Sequence, residues 1–313
     1  MHVFLFCDRC PKYNPMSIQK EEGSNVLVFI VNPTAGNGYA ARVAELIRDE
    51  MNAQALPYAI WYTSRPGESA DLAVKAAQDP ACSSIISVGG DGSAFDMVSM
   101  LNGCPKPIGF IPAGTGNDFA KTIGIPCQPL EALRFILQHE PRPVDVGFVN
   151  GRCFLNVSGI GFDVTVLDQT LALKQTMRGI VPYMIGLIRA IRHFQPVHVR
   201  YEVDGKAYDR NLLIMAVANG RYFGGGIPIC PTAQVDDGCF DLVTVDSVPR
   251  WHIPFYLPGL MLGRIDRFGV TQHTRCRHLT IHSPGMRVQI DGEIHTVDDV
   301  EYIIKPGHMM LYW

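Results

Sequence analysis

Apolar positions along the chain change their period near residue 143. Before it, an unbroken apolar run at 26–31 and mostly apolar stretches at 56–63, around Ile85, Ile86 and Val88, and at 107–111 alternate with stretches whose apolar residues recur every three or four positions. Short continuous runs suit strands buried on both faces of a parallel sheet, and the recurrent spacing suits helices packed against it. Helices are predicted over 40–51, where Ala40, Val43, Ala44, Leu46 and Ile47 share a face, over 69–78, over 94–101, from Phe119 onward and over 130–138. This β-α-β-α-β-α-β order predicts an α/β domain over 26–142, with a parallel doubly wound sheet and ligands at the carboxyl ends of its strands.

After the proline-rich step at 139–143 the pattern becomes one of hairpins. Asn150-Gly151, Asp204-Gly205 and Asp291-Gly292 each separate two short apolar runs, the dipeptide type that favours a type I′ turn. With further strands at 211–218 and 240–246, residues 143–300 are predicted to be a mainly antiparallel β domain, a sandwich or flattened barrel. Two helical stretches interrupt it, at 163–194, broken near Pro182, and at 251–268. The segment 301–313 is expected to return to the first domain, and 1–25 reads as a loose leader.

Composition narrows the classes. A chain of 313 residues with 47% hydrophobic content can bury the cores of two domains, and a net charge of −3 excludes a nucleic-acid binder working through a broad basic face. Nine cysteines show one CxxC, Cys7 to Cys10, without the second pair of a structural zinc site, so reduced thiols in the cytoplasm are expected. The apolar segment 251–263 contains two prolines and falls short of the ~20 residues that span a bilayer. Residues 178–193 and 251–267 each mix apolar and basic side chains, which suits either a helix covering the β domain or peripheral membrane contact.

Three loops carry the candidate chemistry. Gly89-Gly90-Asp91-Gly92-Ser93 stops one strand before a helix; Gly114-Thr115-Gly116-Asn117-Asp118 stops another, with Asp118 placed to cap Phe119 onward; Asn32-Pro33-Thr34-Ala35-Gly36 follows the first strand. Glycines there permit positive φ, remove Cβ atoms and leave amide N–H groups free to meet phosphate oxygens. Each loop alone would also serve as a plain βα turn, and an Asp-Gly hairpin needs no chemistry.

The strings VGGDGS at 88–93 and IPAGTGNDFA at 111–120 resemble the diacylglycerol kinase catalytic-domain family, which includes bacterial lipid kinases, ceramide kinases and sphingosine kinases; the resemblance covers roughly 26–305. It implies an ATP-dependent lipid kinase using Mg²⁺, with diacylglycerol as the leading acceptor and phosphatidic acid as product. It implies nucleotide contacts at Asn32, Pro33, Thr34, Gly36, Thr63, Gly89, Gly90, Asp91, Gly92, Ser93, Gly114, Thr115, Gly116, Asn117 and Asp118. QIDGE at 289–293 resembles the family's QxDGE, which assigns the base to Glu293 first and Asp291 second. The block from Tyr222 to Asp241 resembles the bacterial segment that holds a structural Mg²⁺, here by the Asp237 side chain and the carbonyls of Gln234 and Cys239. Departures are Ser93 for Thr, and Phe95-Asp96 for the usual Asn-Glu. The expected partners are a lipid at a membrane surface and, as a possible state, a second copy of the chain, but no nucleic acid. The competing readings are an NAD kinase-like enzyme and a non-catalytic nucleotide- or lipid-responsive regulator.

Overall fold

A computed structural model describes residues 25–174 and 181–313. Residues 1–24 of the expected leader lie outside the described residues.

In the first part β1 (Val26–Val31), α1 (Ala35–Ala53), β2 (Tyr58–Tyr62), α2 (Glu68–Gln78), β3 (Cys82–Gly89), α3 (Asp91–Met100), β4 (Ile108–Pro112), α4 (Asp118–Thr122) and α5 (Pro129–Gln138) follow one another. The strands pair in parallel in the order β4-β3-β1-β2. The chain moves outward from β1 to β2, then back past β1 to β3 and on to β4. Right-handed crossovers therefore put α1 on one face and α2 and α3 on the other. The packing agrees, since α2 lies on α3 and α1 on α5. Burial on both faces explains the unbroken apolar strands, with Val28, Phe29, Ile30 and Val31 each at most 1% exposed. The order of the strands reverses between β1 and β3, and this is where the carboxyl ends of β1, β3 and β4 deliver their loops to one rim.

The second part contains β5 (Arg142–Val149), β6 (Arg152–Phe154), β7 (Val157–Gly161), α6 (Phe162–Lys174), α7 (Val181–His193), β8 (Val197–Val203) and β9 (Lys206–Ala218). β10 (Tyr222–Phe223), β11 (Ile227–Pro228), β12 (Phe240–Asp246), α8 (Ile253–Met261), β13 (Thr271–Cys276), β14 (His278–Ile290) and β15 (Glu293–Leu311) complete it. Each expected turn dipeptide is left-handed at both residues, with φ of 47° and 81° at Asn150-Gly151, 44° and 88° at Asp204-Gly205, and 44° and 92° at Asp291-Gly292. That twist matches the flanking strands. The described part of α7 starts at Val181, beside Pro182, and residues 175–180 are outside the described ones.

Thirteen of the described strands belong to one sheet that continues through the proline-rich step. Long strands make this possible. β9 and β14 each pair with β8 along one half and with β7 along the other, closing a circuit β7-β9-β8-β14 around a second core. Phe154 stacks on Phe240 at 5.6 Å within it, and Tyr302 stands edge-on to both rings. β15 links this part to the first: Leu311 pairs in parallel with Ile108 of β4, and the Tyr312 hydroxyl lies 2.8 Å from Ser84 Oγ. No helix among the described residues is long and apolar enough to cross a membrane.

Candidate active site

The three glycine loops meet at the rim above β1, β3 and β4. After β1, Asn32 Oδ1 accepts from the Thr34 N–H (3.2 Å) and hydroxyl (2.8 Å), while Asn32 Nδ2 donates to Ser93 Oγ at 3.2 Å, tying the first loop to the second. Pro33 lies between these anchors. Thr63 is buried at the end of β2, its N–H donating to the Val31 carbonyl at 2.9 Å. Two glycines are required by protein rather than by open space. A Cβ on Gly114 would lie 2.4 Å from Gly90 Cα, and one on Gly36, at φ 57°, would lie 2.3 Å from the Ala113 oxygen. At Gly92 nothing stands within 4 Å of the added Cβ. Gly89 packs on the Ser93 side chain, and Thr115 is exposed at the tip of its loop.

Three acids lie along this rim, with Asp91 in electrostatic reach of the other two. Asp91 Oδ1 accepts the Phe119 N–H at 3.3 Å, so the start of α4 is capped from the neighbouring loop and not by Asp118. Left-handed Asn117 (φ 55°), whose amide side chain bonds both the N–H and the carbonyl of Gly114, turns Asp118 away from the helix it precedes. The Asp118 carboxylate accepts the Gly225 N–H at 2.8 Å instead. Its Oδ1 is buried without a hydrogen-bond partner, the Lys121 Nζ standing 3.7 Å away. Burial, and then the charge of Asp91, push the Asp118 carboxyl above its ordinary range. A Cβ on Gly116 would come within 2.7 Å of Asp91 Oδ2, so that glycine leaves room for the acid.

Asp291 completes the group. Its left-handed backbone turns the carboxylate back onto the β6–β7 connection, where it accepts the N–H groups of Leu155 (2.8 Å), Asn156 (3.0 Å) and Val157 (3.0 Å). Burial pushes this carboxyl up to about 6; the three amides oppose the rise and the Asp91 charge adds to it. Asp91 thus lies within electrostatic reach of both other acids. Glu293 does not join them: it is exposed, and its carboxylate faces His295 at 3.7 Å.

The glycine-rich turn at 224–226 docks on the rim through Gly225. Asn156 holds that joint: its Oδ1 accepts the Thr122 hydroxyl at 2.9 Å, its Nδ2 donates to the Tyr222 carbonyl, and its N–H meets Asp291. Further along, Asp237 Oδ1 accepts the Cys239 N–H at 3.0 Å and Oδ2 pairs with Arg275. Asp145, buried below, accepts the N–H groups of Gly238 (2.6 Å) and Gly307 (2.8 Å). Gln234 is exposed. Each Asp237 oxygen thus has one partner, the Cys239 N–H or the Arg275 guanidinium. Beside Asp91, Asp118 keeps a buried carboxylate oxygen without a hydrogen-bond partner, the feature of this rim that suits a divalent cation.

Lys121, Asn156 and Asp145 belong to this framework and carry no candidate role in the sequence reading. Lys121, one helical turn beyond Asp118, was legible by spacing; Asn156 and Asp145 sit in strand-like text with no local signal. The departures at 95–96 are structural, with Phe95 packing onto the second core and Asp96 accepting the Ser69 hydroxyl at 3.0 Å.

Comparison with known proteins agrees with this architecture. Residues 26–149 match the family model for the diacylglycerol kinase catalytic domain, and 156–313 match that for the YegS C-terminal NAD kinase beta sandwich-like domain. A diacylglycerol kinase of Mycobacterium tuberculosis is 26% identical over 294 residues, covering 89% of this chain and 94% of that protein. A Pseudomonas savastanoi pv. phaseolicola protein named as a probable YegS-like lipid kinase is 31% identical over 235 residues, 73% of this chain and 75% of its own. A crystal structure of a Bacillus anthracis protein carrying a diacylglycerol kinase name superposes with a TM-score of 0.75 at 26% identity, over 94% of this chain and 98% of that one.

Proposed function

The chain belongs to the diacylglycerol kinase catalytic-domain family of lipid kinases, and from that premise we propose that it transfers the γ-phosphoryl group of ATP to the hydroxyl of diacylglycerol at a membrane surface, giving phosphatidic acid. The observation that carries this reading is that Asp91, beside the glycine loops, is within electrostatic reach of both Asp118 and Asp291. Bound ATP would supply the phosphoryl group, and its divalent cation, Mg²⁺ in this reading, would offset phosphate charge. Amide N–H groups of the 90–93 and 115–116 loops would bind the phosphates, Asp91 and Asp118 would hold the cation, and Lys121 balances part of the acidic charge.

Asp291 is the proposed base. A carboxylate of ordinary pKa is a poor proton acceptor, whereas one pushed up to about 6 is still ionised at neutral pH and accepts a proton more readily. Three backbone N–H bonds fix its orientation. Oδ2 accepts only the Leu155 N–H, which leaves a lone pair for the acceptor hydroxyl. Glu293 stands outside this constellation and is assigned a lesser role.

The membrane-facing surface is proposed around α8. Trp251 (69% exposed), Phe255 (71%) and Leu262 (67%) project beside exposed Arg264 and Arg267, and an Arg250 bond of 3.0 Å to the Arg192 carbonyl brings α7, with its exposed Ile188, alongside. Each basic residue near an anionic surface contributes about 1 kcal/mol, so reversible, salt-sensitive attachment follows. Radiolabel transfer from γ-phosphate across diacylglycerol, a sphingoid base, ceramide and NAD in mixed micelles tests the assignment. Label on diacylglycerol is expected; transfer to NAD alone would replace the lipid reading, and no transfer to any acceptor would favour the regulator.

A further inference from the structure

Away from the rim, three side chains from separate elements meet at the edge of the antiparallel sheet. Cys230 follows β11, Asp241 lies in β12 and His273 in β13. His273 stands opposite Val243 in the ladder, so it shares a face with Asp241 two residues away. His273 Nε2 is 2.6 Å from Asp241 Oδ1 and 3.9 Å from Cys230 Sγ, and all three donor atoms lie within 4.8 Å of one another. Cys230 is 1% exposed and Asp241 4%, while the His273 side chain is 35% exposed, so the cluster is closed on two sides and open to solvent on the third. Arg275, the neighbouring cation, is engaged by Asp237, and Asp237 adds negative charge near Asp241.

We propose that Cys230, Asp241 and His273 bind a zinc-class divalent cation, with water in the fourth position. One thiolate, one imidazole and one carboxylate is a donor set for borderline-soft metals, whereas Mg²⁺ and Ca²⁺ take oxygen. Tetrahedral zinc at about 2.0–2.3 Å from each ligand needs donor atoms roughly 3.2–3.8 Å apart. The observed spacings reach that by a small opening of the His273–Asp241 pair and a smaller closing toward Cys230. The cation replaces the hydrogen between the imidazole and the carboxylate and the thiol proton, so affinity rises with pH. It would fasten the 229–233 loop to β12 and β13. Arg221 reaches the same loop through the Ala233 carbonyl at 2.9 Å, and a Cβ on Gly263, just beyond α8, would lie 2.9 Å from Pro231 Cγ, so the site braces the ground on which α8 rests.

Titrating the metal-free full chain with Co²⁺ tests this. One equivalent should give the near-ultraviolet thiolate-to-cobalt band and be displaced by Zn²⁺ but not by Mg²⁺. Cys230→Ser should abolish the band, and His273→Ala, at a partly exposed position, should weaken binding at least about tenfold, since even outer-shell losses around metals cost that much. A Cys7→Ser, Cys10→Ser double variant controls for the other cysteine pair and should keep the band; thermal melts establish that each variant is folded. A band that is absent, that survives either substitution undiminished, or that disappears with Cys7 and Cys10 would reduce the trio to a hydrogen-bonded network and overturn the site.

Discussion

Gly114→Ala and Gly92→Val should separate the two uses of glycine at the rim. The methyl group that the first substitution adds would sit 2.4 Å from Gly90 Cα and 3.1 Å from Gly90 N, both backbone atoms that cannot rotate aside. One loop must move off the other, an overpacking strain of about 2 kcal/mol. For a domain of this kind that lowers Tm by about 4–8 °C. Gly92 is different: its φ is not left-handed, and the space beyond it is empty to 4 Å, so valine costs the fold little. The same space is where a phosphate would approach the loop amides, and losing one good contact there weakens ATP binding by about tenfold or more. Differential scanning calorimetry with and without ATP, together with isothermal titration, reads both quantities. A Gly114→Ala melt within about 1 °C of the parent, or full ATP affinity in Gly92→Val, would refute the division, because the glycines would then be ordinary turn residues.

Other consequences follow from the same contacts. Asp237→Ala removes the acceptor for the Cys239 N–H and the partner of Arg275, and should cost about 1–3 kcal/mol in thermal melts, equally with and without Mg²⁺ when nucleotide is absent; a Mg²⁺-dependent rise in Tm seen only in the parent would restore a resident cation at that turn. Arg264→Glu with Arg267→Glu should lower binding to anionic vesicles at low salt, by about tenfold or more for a reversal of two charges, with the parent's binding falling as salt rises; co-sedimentation indifferent to salt and to both substitutions would make α8 an ordinary cover of the sheet. Glu293→Gln, at an exposed position facing His295, should keep turnover within about tenfold of the parent in the lipid assay, whereas a loss of about a hundredfold or more would return the base to Glu293.

Much of the architecture was legible because burial on two faces and type I′ turns leave marks in short stretches of sequence. The unbroken run at 26–31 is β1 without adjustment, and the three Asn-Gly or Asp-Gly dipeptides fold as the hairpins they predict. Relations set by distant residues left no such mark. Nothing near Asp118 reveals that Gly225, more than a hundred positions away, claims its carboxylate while Asp91 caps α4. The prominence of Glu293 came from its place in a motif; Asp291 sits in the turn, where its left-handed backbone carries the carboxylate onto the amides of 155–157, while Glu293 opens β15 at an exposed position. The sandwich-like second part arises from β9 and β14 bending within one sheet, a property of strand length and pairing that periodicity cannot show.

The pH dependence of lipid phosphorylation in the parent and in Asp291→Asn tests the role of the rim most directly. The folded pKa of Asp291, about 6, lies above the ordinary 3.8, so folding favours the protonated carboxyl and that stabilising contribution is lost as pH rises through about 6. Catalysis needs the opposite form. At saturating ATP, kcat/KM for diacylglycerol should fall with unit slope as pH drops below about 6 in the parent, and Asp291→Asn should be at least about a hundredfold slower and lack that limb, while binding ATP normally. A folded Asp291→Asn variant with near-parental turnover and the same pH limb would contradict the assignment of Asp291 as the base.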